Sequence, residues 1–323
     1  MLYRSSILGL MPPLRNSNSI AVIIPTYNSM KHFRETIESV LNQTLPADEI
    51  LVNDDGSTDG TPDFAESYGP PVRVFRRANQ RQSASRNFAA TQTECEWLAF
   101  LDHDDLWKPN KLERQMEELI RNPAADLCYC GRISFSDDGG IARPGTVFDV
   151  PAAGDIRRAL YVNTTFMPGS VLIRRTTYLA FGGFNPSIKL VEDWDLWLRL
   201  IHAGVQFAAC QEPLLSMRLH VGNQSNSAIA ALEEQKEIYR RLVLPHLPRS
   251  TRWLARQRSQ SGQEAVAATI LRNVGDPRCL SMMLTSIVRY PFAKLDRYKI
   301  MAHMLLTRLG FVWGRAEAST SAR

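Results

Sequence analysis

The segment Leu101-Asp102-His103-Asp104-Asp105-Leu106-Trp107 places three carboxylates within four residues, directly after the apolar run Trp97-Leu98-Ala99-Phe100. Like charges this close resist joint ionisation unless a cation neutralises them. Oxygen-only ligands that leave coordination positions open suit Mg²⁺ or Mn²⁺ bound together with a substrate phosphate. We therefore read Asp102 and Asp104 as a metal-diphosphate site, while Asp105 fits equally well as an N-cap for the next helix. A second acid pair, Asp54-Asp55, follows another apolar run, and Arg86 stands where a guanidinium could meet a phosphate or a base edge. Neither G-x-G-x-x-G nor G-x-x-x-x-G-K-[ST] occurs, which argues against a dinucleotide dehydrogenase and a P-loop phosphotransferase. The residues point to an enzyme acting on a nucleotide diphosphate, with a metal clamp in place of a glycine-rich cradle.

These side chains need elements to position them. Ile20–Ile24, Glu49–Asn53, Val72–Phe75 and Glu96–Leu101 read as strands, and the stretches after Asn28, Pro62, Gln82 and Pro109 read as helices. Such alternation predicts an α/β fold, a mostly parallel mixed sheet with helices on both faces and ligand at the carboxyl ends of the strands. Thr26/Asn28, Asp54/Asp55 and Asp102/Asp104 all fall at such ends. Further strands are expected at Asp126–Cys130, Ser170–Arg174 and Val205–Ala208, with Met217–His220 following, and a helix from Glu192 to Leu200. The Gly/Pro/Asp-rich stretch from 131 to 161 reads as an irregular substrate loop.

Composition bounds the rest. The chain has 323 residues, a formal net charge of +5 and five scattered cysteines, which predicts reduced, mostly buried thiols in a cytoplasmic protein. Residues 1–17 read as a flexible leader without a secretory cleavage site. The charge is uneven: residues 226–323 carry 16 bases and 7 acids, so this region is strongly positive while the rest is slightly negative. We expect residues 18–225 to form the catalytic domain and 226–323 a basic helical C-terminal region. Short apolar runs alternating with bases suit an anionic membrane surface, packing on the catalytic domain, or a second subunit. No nucleic-acid recognition motif is present.

Six segments then give a specific resemblance. Ile24-Pro25-Thr26-Tyr27-Asn28, Ser39-Val40-Leu41-Asn42-Gln43-Thr44, Val52-Asn53-Asp54-Asp55-Gly56-Ser57-Thr58-Asp59, Ser85-Arg86-Asn87, Phe100-Leu101-Asp102-His103-Asp104-Asp105 and Glu192-Asp193-Trp194-Asp195-Leu196-Trp197-Leu198-Arg199 resemble, in order and spacing, the signatures of family 2 glycosyltransferases. The resemblance covers roughly residues 18 to 225. It implies a GT-A fold, a UDP-, GDP- or dTDP-sugar donor, a Mg or Mn ion, and inversion at the anomeric carbon, and says little about the C-terminal helical extension over 226–323. It also implies a saccharide or lipid-linked acceptor, and with it surface polysaccharide synthesis at the inner face of the cell membrane.

Carried across by position, Pro25, Thr26 and Asn28 would line the nucleoside pocket, and Asp54 would hold the base or ribose. Arg86 would face the nucleobase or diphosphate. Asp102 would contact ribose or metal, Asp104 would ligate the metal, and His220 is a further candidate ligand beside its structural alternative. Asp193 would be the general base, its pKa a balance between the helix dipole that lowers it and burial that raises it. Trp194, beside that base, offers a platform for a sugar, whereas Trp197 suits core packing. One departure stands out: Arg81 sits where the family commonly has glycine. The rivals are a nucleotidyltransferase, which should carry a basic glycine-rich triphosphate loop, and a non-catalytic nucleotide-sugar-binding homologue, which intact Asp102, Asp104 and Asp193 argue against.

Overall fold

A computed structural model of the chain describes residues 18–136, 143–148, 150–218, 224–273, 275–292 and 296–308. Among these residues the strands are β1 (Ile20–Thr26), β2 (Glu49–Asp54), β3 (Val72–Arg76), β4 (Trp97–Phe100), β5 (Leu106–Trp107), β6 (Ala125–Ser136), β7 (Arg143–Phe148), β8 (Val171–Arg174) and β9 (Gln206–Arg218). The first helices are α1 (Met30–Leu41), α2 (Thr61–Glu66), α3 (Arg81–Ala90), α4 (Lys111–Arg121), α5 (Ile156–Leu160), α6 (Arg175–Ala180) and α7 (Glu192–His202). The strands form one mixed sheet in the order β3-β2-β1-β4-β8-β6-β9-β5, with β7 paired to β6. β3, β2, β1 and β4 run parallel, and β8 enters antiparallel between β4 and β6.

Every residue of β1 is buried, which a sheet covered on both faces requires of a central strand. On one face Val22, Ile24, Ile50 and Val52 share a core with Phe33, Ile37 and Val40 of α1. Another part of the interior is aromatic: Phe100 lies 5.3 Å from both Tyr178 and Phe184, Phe184 lies 6.0 Å from Trp197, and Phe166 stacks on Tyr129 at 4.5 Å. That cluster fixes α7 through Trp197. The parallel register sets Thr26 beside Asp54 and Ile23 beside Phe100. Three polar turns therefore leave the sheet at one edge, as expected at strand carboxyl ends.

The stretch from 131 to 161 departs from its reading as an irregular loop. β6 continues to Ser136, β7 pairs with it antiparallel, and α5 follows. Likewise β9 is one strand of 13 residues rather than two short pieces. The reason is a bulge: the β6–β9 register shifts between Cys130↔Cys210 and Gly131↔Pro213. Gly and Pro mark a break in the ladder here, not the end of a strand. All five cysteines are free, and four are buried.

The described residues divide into two compact units. The first takes those up to Arg157 and from Thr164 to Arg218; the second takes Arg158–Asn163 and the residues from Gln224 on. The second unit holds α8 (Gln224–Ile238), α9 (Arg252–Asn273), α10 (Arg278–Arg289) and α11 (Asp296–Arg308). Ala268, Met283, Ile287 and Met304 form one small core there. A polar staple supports it: Ser261 and Ser286 each donate to the other's carbonyl, at 2.8 and 2.7 Å, and the buried Arg297 donates to the Ser286 carbonyl at 3.0 Å and to the Tyr290 carbonyl at 2.6 Å. No described helix is long and apolar enough to cross a membrane.

Candidate active site

The turn after β4 is gripped from two sides. From α1, the Thr36 hydroxyl reaches the carbonyls of His103 and Asp105 at 2.9 and 3.0 Å. From the end of β9, Arg218 donates its backbone N–H to the Asp105 carboxylate at 2.8 Å, its Nε to the Asp104 carbonyl at 2.8 Å, and its guanidinium to Glu35 at 2.5 Å. Asp105 is buried, and burial, followed by the charges of Asp102 and Asp104, raises its pKa well above the usual carboxylate range. It caps no helix. α4 begins at Lys111 behind Asn110, so Asp105 instead ties the turn to β9.

With Asp105 turned inward, Asp102 and Asp104 help line a cleft of about 510 Å³. Pro25, Thr26 and Tyr27, at the end of β1, form part of the wall; Asp55 and then Asn79, Arg81, Gln82 and Ser85, from the α3 side, form another; His103 and Lys189 complete it. Asp102 is held from beneath. The buried Arg86 donates to the Asp102 carboxylate and, at 3.0 Å, to Glu192 in the first turn of α7. Burial opposes the guanidinium charge, yet the Asp102 and Glu192 charges outweigh it and raise the Arg86 pKa. Burial raises the Glu192 pKa against the Arg86 charge. One buried cation thus couples the cleft wall to the start of α7.

Asp193 follows Glu192. Its carboxylate accepts the N–H of Trp194 at 2.7 Å and the hydroxyl of Thr164 at 3.3 Å. Burial, with the Glu192 charge second, pushes its pKa up to about 7, against the lowering effect of those two hydrogen bonds. A carboxylate poised there is half ionised near neutrality, which suits a general base.

The remaining predicted residues are placed as follows. Pro25, Thr26, Asp102 and Asp104 line the cleft; Asn28, Asp54, Arg86 and Asp193 do not. Asn28, at φ 48°, accepts the Thr58 N–H at 2.8 Å and joins the first loop to the second. The buried Asp54 accepts from the Thr26 and Ser57 hydroxyls and from the N–H groups of Gly56 and Ser57, at 3.2 and 3.0 Å. Its neighbour Asp55 takes the cleft face. His220 lies outside the described residues. Trp194 is fully buried, which overturns its reading as a sugar platform, and Trp197 is buried as expected.

Sequence reasoning named Asp55 only as half of an acid pair and missed Gln82, Lys189 and Thr164, while Arg81 carried a signal as a departure from glycine. Arg81 adopts φ 70°, and Asp55 accepts its N–H at 2.7 Å and that of Gln80 at 2.8 Å. A left-handed conformation costs a non-glycine residue roughly 1–2 kcal/mol. For a metal, Asp102 and Asp104 offer oxygen donors on one wall, and no cluster of three or more His, Cys, Asp and Glu side chains forms a cage among the described residues. That donor set fits Mg²⁺ or Mn²⁺, which take one or two carboxylates and leave the other positions to phosphate and water.

Residues 21–180 match the model of glycosyl transferase family 2. The chain is 30% identical over 242 residues to the putative teichuronic acid biosynthesis glycosyltransferase TuaG of Bacillus subtilis, covering 72% of this chain and 91% of that one. It is 29% identical over 224 residues to the Rickettsia typhi glycosyltransferase RT0329, covering 68% and 70%. Among solved structures, Staphylococcus aureus TarS 1-349 in complex with UDP-GlcNAc aligns at TM-score 0.54 and 18% identity, covering 92% and 93%. The mannosyltransferase PcManGT of Pyrobaculum calidifontis, in complex with GDP-Man and Mn²⁺, aligns at 0.56 and 16%, covering 90% and 80%. At such identities the structures show the fold, and TuaG carries the kinship. The chain belongs to glycosyltransferase family 2 and builds its enzyme on the GT-A fold.

Proposed function

We propose that this enzyme moves a sugar from a UDP-, GDP- or dTDP-linked donor to a hydroxyl of a saccharide or lipid-linked acceptor, inverting the anomeric carbon, in surface polysaccharide synthesis at the cytoplasmic face of the membrane. The observation that carries the reading is the joint presence of Asp102 and Asp104 in one cleft that is also lined by Arg81, Gln82, Pro25 and Thr26. TuaG, named for teichuronic acid biosynthesis, supports the polymer class, and the UDP-GlcNAc and GDP-Man complexes of the structural neighbours support the donor class.

Pro25 and Thr26 would bound the nucleoside. Asn28 and Asp54 would act on it through the two loops that they fasten together. When bound, Mg²⁺ or Mn²⁺ would be held by Asp104 and Asp102 and would supply positive charge to the departing diphosphate. Arg81 and Lys189 add cationic charge to the same cleft. Asp193, positioned by Thr164, takes the proton of the acceptor hydroxyl as its oxygen bonds to the anomeric carbon. The bond from that carbon to the phosphate oxygen breaks on the opposite face, and its electron pair leaves with the nucleotide diphosphate.

The test is thermal denaturation against a panel of nucleotide sugars with and without Mn²⁺. At least one donor should raise the melting temperature, and more so with Mn²⁺; a panel without any shift in either condition would overturn the reading.

A further inference from the structure

The second unit carries an exposed apolar surface of its own. α9 and α10 lie antiparallel, with Ser261 beside Ser286 and Arg289 reaching Gln257 at 3.2 Å. This register brings Trp253, one turn before Gln257, alongside the end of α10 that leads to Phe292. On α10, Leu284 and Val288 share a face at i and i+4. Trp253, Leu284, Val288 and Phe292 are 71%, 51%, 74% and 87% exposed. A shallow groove of about 380 Å³ runs between the helices, lined by Gln257, Leu284 and Val288 among others. Large apolar side chains gathered in this way mark a contact surface, unlike the isolated ones every surface has.

Charge identifies the occupant. Arg249, four residues before Trp253, and Arg256, three after it, are both exposed, within a region of 16 bases and 7 acids over residues 226–323. A second copy of the chain would bring two such positive faces together, which like charge opposes. An anionic bilayer complements both properties: indole and phenyl rings settle at the boundary between headgroup and acyl chain, and arginines meet lipid phosphates. With no described helix able to cross a membrane, such a contact lies in the interface. We propose that the α9–α10 face of the second unit, centred on Trp253, Val288 and Phe292, docks on an anionic lipid surface.

The experiment is cosedimentation of the full chain with vesicles of phosphatidylcholine alone or mixed with phosphatidylglycerol. Wild type should partition onto the mixed vesicles and be released by salt. The triple variant Trp253→Ser/Val288→Ser/Phe292→Ser should lose about tenfold or more of that partitioning, and Arg249→Gln/Arg256→Gln should lose part of it together with some salt sensitivity. If the triple variant melts early, lipid bearing brominated chains replaces it as the probe: Trp fluorescence of wild type should be quenched, and Trp253→Phe should abolish most of the quenching. Equal binding to both vesicle types, a triple variant that binds as wild type does, or a dimer in light scattering that the triple variant dissolves would each overturn the proposal. The last outcome would give the face to a second copy.

Discussion

Two acidic turns leave the same edge of the sheet, and their carboxylates do different work. After β2, Asp54 accepts two hydroxyls and two backbone N–H groups, and Asp55 accepts two more N–H groups from the start of α3. After β4, only Asp105 is turned inward, onto the Arg218 N–H, while Asp102 and Asp104 face the cleft. A carboxylate's role here follows from the donors that surround it. The first turn uses its acids to shape loops, although Asp55 also reaches the cleft wall, and the second leaves Asp102 and Asp104 facing the cleft.

The largest expected effect lies outside both turns and sets the scale for them. Asp193→Asn should cut turnover by about 10²–10⁴ with donor affinity retained, measured by steady-state kinetics and calorimetry. In the wild type, turnover should rise as pH passes through about 7 and the base ionises, and the variant should lose that limb. Stability runs the opposite way. The folded-state pKa lies above the ~3.9 of an unfolded aspartate, so Asp193 contributes stability that is full below the unfolded value and is lost as pH rises through about 7. Asp193→Asn should therefore melt higher than wild type above pH 7, and a lower melting point there would contradict the assignment of that pKa.

Within the turns, Asp104→Asn should weaken Mn²⁺-assisted nucleotide binding by at least about 10–100-fold, the loss seen even when only a supporting residue of a metal ligand is removed. Its melting temperature should barely move. Asp54→Ala should do the reverse, leaving buried donors without an acceptor at a cost of about 1–3 kcal/mol, seen as a drop of roughly 2–4 °C per kcal/mol for a domain of this size. Nucleotide affinity lost from Asp54→Ala without loss of stability would erase the distinction between the turns. The smallest effect is expected from Arg81→Gly, which relieves a left-handed arginine: the melting temperature should hold or rise slightly while affinity for a nucleoside diphosphate falls a few-fold.

The α/β alternation was legible because β1, β2 and β4 are continuous apolar runs ended by polar turns. What could not be read was which of two adjacent acids faces the cleft, since neighbours at a strand end point to opposite sides. Asp54 and Asp55 were read as a pair, and of the two it is Asp55 that lines the cleft. Trp194 was misread because α7 is buried nearly all round, which a helical period does not announce. β6 and β9 were read as ending at Cys130 and Ala208 because the ladder between them breaks soon after, at a bulge where Gly131 faces Pro213. Thr164 sits in a motif-free stretch, and only the folded chain brings it to Asp193.

Arg86 has a consequence for anyone wishing to reshape this cleft. Its guanidinium is sealed from water and serves Asp102 and Glu192 at once, so neither acid can be exchanged in isolation. Neutralising one strands part of a charge that the interior cannot solvate, a penalty on the order of 3–5 kcal/mol for a broken buried pair. Asp102, Arg86 and Glu192 form a unit of inheritance: variation at the cleft wall must be answered at the start of α7.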